Sequence, residues 1–185
     1  MLDITTRPPV NGIDLVALEE TVAAVSADPA LAQVGFRVKT EWKGQTRSET
    51  TIDSYSLGGE TIPRAFTIMS DEPAELLGTD TAPNPQELLM TAVNACMMVG
   101  YVVQASIRGI TLDSCRIETE GELDTRGFLG VDETIPPGYR RINYTVFIEG
   151  DGTRRDYEEI HEAVMATSPN YFNLAQPVQM VGRLA

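Results

Sequence analysis

The chain has 185 residues, of which 42% are hydrophobic and 22% charged, enough for one domain with a real hydrophobic core. Its formal net charge of −13 argues against nucleic acid and anionic membrane surfaces as partners. Two cysteines exclude a disulfide framework, the first residues lack a signal-peptide pattern, and P-loop, GxGxxG, CxxC and HExxH motifs are absent. We therefore expect a cytoplasmic protein that uses neither a metal nor an organic cofactor.

The first half of the chain predicts one helix and an antiparallel meander. Residues 12–27 have the apolar spacing of an amphipathic helix, which Asp28-Pro29 ends. Residues 36–42 alternate between apolar or Thr side chains and charged ones, which indicates a half-buried strand. Two more strands are predicted at 46–55 and 63–70, and turns are predicted at Gly44 and Gly58-Gly59.

A long apolar helix dominates the second half. It follows a loop over 71–85, begins at the paired prolines of 83–85, runs to about Arg108 and ends at Gly109. The uncharged stretch 88–107 is long enough to cross a membrane, but its polar residues and the lack of a basic flank favour a helix buried on all sides inside a soluble protein. The later predicted elements are strand 110–124, an irregular loop 126–138, strand 139–149, helix 153–167 and strand 177–184. This order predicts an α+β fold with helices packed on antiparallel sheet.

The long helix carries Cys96, the strongest candidate for chemistry. A reactive thiol and a small buried side chain are both open readings of this position. The first-turn Glu87 lies nine residues before Cys96, which places the two on opposite helix faces and ~13 Å apart along the axis. Because burial and a negative protein both raise a thiol pKa, a reactive Cys96 requires a nearby cation.

The sequence around this cysteine resembles the OsmC/Ohr family. The helix has the pattern P-N-P-x-E-L-L-x-x-A-x-x-A-C and is followed by Arg108-Gly109 and a long strand. The run Asp71–Asp80 and the loop Arg126–Gly130 resemble one OsmC-like branch. The resemblance covers roughly 36–185, so residues 1–35 are predicted to be an N-terminal helical extension. It implies an intertwined homodimer in which antiparallel sheets wrap around the long central helices.

The resemblance also implies a thiol peroxidase acting on organic hydroperoxides. Cys96 matches the peroxidatic cysteine, whereas Ser168, just before Pro169, stands where the family has its second, resolving cysteine. The residues that the family would use to organise the thiolate match Arg47, loosely, and Gln86 with Glu87 beside it. We predict a hydroperoxide reductase of the oxidative stress response with one peroxidatic cysteine, reduced by an external thiol.

A second class of function stays open. A non-catalytic homodimer of the same fold would bind a small apolar molecule or sense redox state through Cys96. The side chains predicted to line a substrate pocket, with plain packing as the alternative for the aromatic ones, are Tyr101, Tyr171, Phe172 and Ser168. Cys115 is predicted to lie in the core, since a helix and a sheet pack about 10 Å apart and a disulfide needs Cα atoms within about 7 Å. His161 is predicted to be a solvated helix residue among glutamates.

Overall fold

The computed structural model describes residues 7–184 and divides the chain into two compact units. The first unit extends to Leu89 and the second begins at Met90. Each unit is described by itself below. The extension predicted over 1–35 stays a prediction, and its first six residues lie outside the described ones.

The first unit opens with a helix close to the predicted one. Helix α1 covers Leu15–Ala27, and the side chain of Asp14 caps it by accepting the backbone N–H groups of Val16 and Ala17. Asp28 ends the helix, as predicted. The sequence prediction was therefore correct for the helix and three residues early at its start.

The predicted meander is confirmed, with one break. The expected strand 36–42 is two short strands, β1 (Val34–Phe36) and β2 (Lys39–Trp42). Both pair antiparallel with β3 (Ser48–Leu57), which pairs in turn with β4 (Glu60–Ser70). The break at residues 37–38 interrupts the ladder, so β1 and β2 pair one after the other with the same edge of β3.

The prediction that residues 36–42 are half-buried was wrong for this chain. Phe36 is 73% exposed, and Val38 and Trp42 are exposed as well. The alternation correctly indicated a strand, but burial requires a second layer. The residues that the structure describes do not cover this apolar face.

The loop after β4 is organised by a buried carboxylate. Asp71 is fully buried and accepts hydrogen bonds from the hydroxyl groups of Thr46, Thr79 and Thr81 at 2.6–2.9 Å. These bonds, with that of Thr46 first, hold the pKa of Asp71 well below its usual range. The predicted loop also contains a short 3₁₀ turn, Ala74–Leu76.

The long helix α2 covers Pro85–Ile107 and has well-formed ends. At its start, Asn84 and Glu87 each accept the other's backbone N–H at 2.8 Å, which is a reciprocal cap. At its end, Gly109 adopts a φ of 71° while its own N–H and that of Ile110 donate to the last turn. The helix is also long and apolar enough to pass for a membrane span by length and composition.

Helix α2 is buried along one side only, so the prediction of burial on all sides was wrong for the single chain. Its buried side follows the i, i+4 spacing of Val93, Met97, Tyr101 and Ala105. Other positions of the same helix, such as Val99, stay exposed. An apolar composition predicts that a helix avoids water, but the elements packed on it decide which sides are covered.

The second unit contains a two-stranded antiparallel sheet of β5 (Leu112–Gly121) and β6 (Ile142–Gly150). From Cys115 to Thr119 burial alternates along the strand, since the side chains at 115, 117 and 119 are half-buried and those between are exposed. Cys115 and Ile117 pack against the core cluster, which comprises Val93, Met97, Tyr101, Ala105, Ile110, Ile160 and Val164. The loop between the strands holds a short helix, α3 (Thr125–Phe128).

The chain ends with two helices and an unpaired segment. Helix α4 (Arg154–Thr167) starts with a capping box between Thr153 and Asp156, and its Ile160 and Val164 are fully buried. Ser168 ends α4 and caps α5 (Pro169–Ala175), a helix that the sequence analysis did not predict. The strand predicted over 177–184 was wrong, because these residues pair with no described strand and are exposed.

Candidate functional site

The candidate site is built on contacts between α2 and α4. A Cβ added at Gly100 would meet a methyl group of Val164 at 3.1 Å, so the absence of a side chain there lets the two helices approach closely. Cys96, one turn before Gly100, meets Ser168, and Tyr101, the residue after Gly100, meets His161. Residues later in α2 thus meet residues earlier in α4, which shows that the two helices run antiparallel.

Cys96 contacts Ser168, the residue predicted to stand at the family's resolving position. The Oγ of Ser168 lies 3.4 Å from the Sγ of Cys96, and its hydroxyl donates a hydrogen bond to the sulfur. Ser168 is only 5% exposed, and its Oγ also accepts the backbone N–H of Tyr171 at 3.5 Å as the cap of α5. Because the cap occupies a lone pair of Oγ, the hydroxyl proton is free to point at the sulfur.

The two ends of this contact are held by further hydrogen bonds. The side-chain amide of Asn170 donates to the carbonyl of Ala92 at 2.8 Å, which ties the start of α5 to α2. The Thr119 hydroxyl donates to Asn94 at 2.6 Å, which ties α2 to β5. Cys96 therefore sits between two anchor points and is half-buried.

Cys115 has a different environment from Cys96. Both cysteines are free thiols. Cys115 lies on the inner face of β5 against the core, and burial raises the pKa of its thiol above the ordinary value. A raised pKa keeps the thiol protonated and weakly nucleophilic, which fits the core role predicted for it.

Three residues predicted to assist Cys96 belong to the first unit. Arg47 is half-buried, and its Nε has no hydrogen-bond partner among the described residues. The carboxylate of Glu87 accepts the N–H of Asn84 in the helix cap, so it has a structural role at that position. Gln86 is half-buried in the first turn of α2. Their part in organising the thiolate stays a prediction.

The predicted pocket residues fall in different places within the second unit. Tyr101 is 1% exposed in the core, and Ser168 contacts Cys96 as described. Tyr171 is half-buried with its ring edge-on to Tyr144, the centroids being 6.3 Å apart. Phe172 is 60% exposed. A substrate pocket formed by these residues stays a prediction.

The prediction that His161 is solvated was wrong. Its Nδ1 lies 2.5 Å from the hydroxyl of the buried Tyr101, and its ring packs against those of Tyr101 and Tyr144 with centroids about 6 Å away. The glutamates next to it in sequence indicated a solvent-exposed side of the helix. The better signal was spacing, because Tyr157, His161 and Met165 recur every four residues along the inner side of α4.

Within residues 7–184, no group of three or more His, Cys, Asp or Glu side chains is placed to hold a metal ion. What the site offers is a half-buried thiol, a hydroxyl donor to it and an aromatic cluster beside it. This arrangement suits thiol chemistry or the binding of an apolar molecule.

Comparison with known proteins places the chain among OsmC-like folds. A family model described as "OsmC-like protein" matches residues 78–181, which is more than half of the chain. No curated protein matches. The structure of an OsmC-like protein from Mycoplasma pneumoniae is 17% identical, covers 77% of this chain and 88% of that chain, and gives a TM-score of 0.58.

Other solved structures are similar at comparable distance. An OsmC-like protein of unknown function from Vibrio cholerae is 13% identical over 74% of this chain and 90% of that chain, with a TM-score of 0.56. The organic hydroperoxide resistance protein OhrB of Bacillus subtilis is 22% identical over 74% and 87%, with a TM-score of 0.44, too low to bear on the fold. The likeness to the Mycoplasma and Vibrio proteins confirms the predicted fold class: helices combined with antiparallel sheets in the OsmC-like arrangement.

Proposed function

Since the chain belongs to the OsmC-like protein family, we propose that it is a thiol peroxidase that reduces organic hydroperoxides with Cys96 as its single peroxidatic cysteine. The observation that carries the proposal is the contact of Cys96 with Ser168, at 3.4 Å. Ser168 occupies the position that the family resemblance assigns to the resolving cysteine. The proposal therefore keeps the family's peroxidatic cysteine, as Cys96, and has a serine in place of the resolving cysteine.

The reaction follows from the chemistry of a lone thiolate. The Cys96 thiolate attacks one oxygen of the peroxide, the O–O bond breaks, and the other oxygen leaves as an alkoxide that takes up a proton to become the alcohol. Cys96 is then a sulfenic acid. One external thiol displaces water to form a mixed disulfide, and a second releases Cys96 and leaves with the first as a disulfide.

Ser168 fits the single-cysteine cycle in two ways. Its hydroxyl donates a hydrogen bond to the sulfur, and such a bond favours the charged thiolate over the neutral thiol. An alcohol oxygen does not form a disulfide with the sulfenic acid. The oxidised Cys96 must then be reduced by a thiol from outside the chain.

The remaining parts of the proposal are carried over from the family resemblance. Arg47 is the cationic activator of Cys96, with Gln86 or Glu87 as the orienting partner. The substrate pocket is lined by Tyr101, Tyr171, Phe172 and Ser168. The setting is the cytoplasm, where external thiols are abundant and thiols stay reduced.

We also propose a homodimer. The exposed apolar side chains of the first sheet, such as Phe36 and Trp42, and those on the uncovered side of α2, such as Val99, support it. Monomeric proteins seldom leave large contiguous apolar patches in water. A second copy would cover what the single chain leaves open.

The experiment compares turnover of cumene hydroperoxide with dithiothreitol for the wild type, Cys96→Ser and the matched control Cys115→Ser. We expect turnover in the wild type and in Cys115→Ser, and background only in Cys96→Ser. Equal background rates in all three proteins would refute the peroxidase proposal and favour a non-catalytic binding protein.

A third variant, Ser168→Cys, tests the assignment of Ser168. After one equivalent of peroxide, mass spectrometry should find that this variant has lost two hydrogen atoms to a disulfide with Cys96. The wild type should instead gain one oxygen atom. A sulfenic acid that persists in Ser168→Cys would contradict the placement of Ser168 at the resolving position.

A further inference from the structure

A groove lies in the second unit between strand β6 and helix α4, with Tyr101 of α2 also lining it. Its volume is about 940 Å³, within the range of sites that hold small organic molecules. The other apolar and aromatic residues of its lining are Tyr144, Val146, Phe147, Ile148, Tyr157 and Met165. His161, the single histidine of the chain, lines the same groove.

We infer that this groove is a binding site for an uncharged, ring-containing organic molecule whose oxygen accepts a hydrogen bond from Nε2 of His161. The groove shares Tyr101 with the proposed substrate pocket, but it does not contain the reacting thiol of the proposed peroxidase. Neither Cys96 nor Ser168 lines the groove. The ring of Tyr144 separates the two places, since it contacts His161 and also Tyr171, whose backbone N–H donates to Ser168.

The hydrogen-bonding state of His161 follows from its partner. Tyr101 is 1% exposed, and burial raises the pKa of its hydroxyl, so the phenol stays protonated. Among the described residues the one hydrogen-bond partner of this buried hydroxyl is Nδ1 of His161, so the phenol O–H donates to it. Nδ1 of His161 therefore accepts that bond and the imidazole proton resides on Nε2. No described residue accepts a hydrogen bond from Nε2, so a ligand oxygen would be its partner.

The walls favour a ring. The imidazole lies nearly parallel to the ring of Tyr101, at 18°, and is tilted at 45° to that of Tyr144. The hydroxyl of Tyr157 accepts the N–H of Gly152 at 3.1 Å, which fixes a further ring at the groove. Fixed aromatic side chains contact planar ligands at little cost in conformational entropy.

The rim excludes anions. Its charged residues are Glu149, Arg154, Glu158 and Glu162. Arg154 is already paired with Glu158 at 2.9 Å, and within residues 7–184 no ion pair neutralises Glu149 or Glu162. A carboxylate or sulfonate would meet like charge on entering, whereas an uncharged molecule would not.

The test uses 2-naphthol, which is uncharged at neutral pH and carries one oxygen on a fused ring, with 2-naphthalenesulfonate as the anionic control. Titrations with the full-length wild type, His161→Leu and His161→Gln are followed by naphthol fluorescence, and circular dichroism checks that each variant is folded. We expect the wild type to bind 2-naphthol and not the sulfonate. His161→Leu should bind about three- to tenfold more weakly, the usual effect of one hydrogen bond. His161→Gln, whose amide can donate in place of Nε2, should recover most of that loss.

A second measurement does not depend on any variant. Labelling with ¹⁵N-histidine gives signals from His161 alone, and these report which ring nitrogen carries the proton. We expect the Nε2–H tautomer in the free protein and a shift of the Nε2 signal when 2-naphthol is added. Absence of 2-naphthol binding, equal binding to His161→Leu, or an Nδ1–H tautomer would each overturn the inference. Cys96→Ser should bind 2-naphthol as the wild type does, so loss of peroxidase activity and loss of this site can be told apart.

Discussion

The two sheets of this chain have similar sequence patterns and different surroundings. In the second unit, the inner face of β5 and β6 packs against α2 and α4, and side chains such as Ile160 and Met97 between them are fully buried. In the first unit, β1 to β4 form a larger sheet whose apolar side chains, Phe36 and Trp42 among them, remain in water. An alternating pattern thus correctly predicts a strand in both places, but the apolar face is buried in only one of the two sheets.

The difference shows where the second unit obtains its stability and what the first unit still lacks. A face that is covered gains about 25 cal/mol for each Å² of apolar area removed from water. The first sheet gains little of this from the residues that the structure describes. The proposed second copy of the chain would supply the missing layer.

Truncation of the covered core should have the largest effect. Ile160 is fully buried between α2 and the second sheet, so Ile160→Ala leaves a cavity and should lower the free energy of unfolding by about 2–5 kcal/mol. Urea denaturation measures the change. Glu162→Ala, on the exposed side of the same helix, should stay within about 0.5 kcal/mol. Similar effects of the two substitutions would contradict the description of this face as the core.

Truncation on the open sheet should have the next largest effect, on association. If a second copy covers Trp42, Trp42→Ala should weaken the dimer by about 2 kcal/mol or more, which is about thirtyfold in Kd. Sedimentation equilibrium over a range of concentrations gives this constant. Lys39→Ala, on the other face of β2, is the matched control and should leave it unchanged. A wild type that stays monomeric at high concentration would refute the dimer.

Mild acid should have the smallest effect, and it tests the loop after the first sheet. The pKa of Asp71 is lowered by its threonine partners, so its contribution to stability is fully present above the ordinary carboxyl value, about 3.9, and is lost as the pH falls through the lower folded value. The urea midpoint should therefore show no loss from Asp71 between pH 7 and 5 and a fall below about pH 4. Asp71→Asn should flatten that fall. An equally steep fall in the variant would assign it to other carboxylates.

Local signals in the sequence predicted most of the elements. Asp28-Pro29, Gly109 and Ser168-Pro169 mark helix ends because each has a specific backbone preference, and all three are where helices end. The segment 177–184 failed because a strand also needs a neighbour to pair with, and its own residues do not encode one. Burial of 36–42 failed for the same reason, since it depends on a second layer.

The candidate site was only partly accessible to sequence reasoning. The motif around Cys96 and the position of Ser168 came from resemblance to a family, and the structure brings these two side chains into contact. His161 was misjudged because its neighbours in sequence are glutamates, while its contacts come from Tyr101 and Tyr144, 60 and 17 residues away along the chain. Such contacts depend on how helix and sheet pack, which composition does not reveal.

Trp42 is the only tryptophan of the chain and lies in the first unit, whereas the only histidine lies in the second. Each unit therefore has a natural reporter that the other lacks, indole emission for one and imidazole resonances for the other. Unfolding curves recorded with the two reporters would coincide if the units melt together and would separate if they melt independently. Cooperativity between the two halves can thus be measured on the unmodified protein.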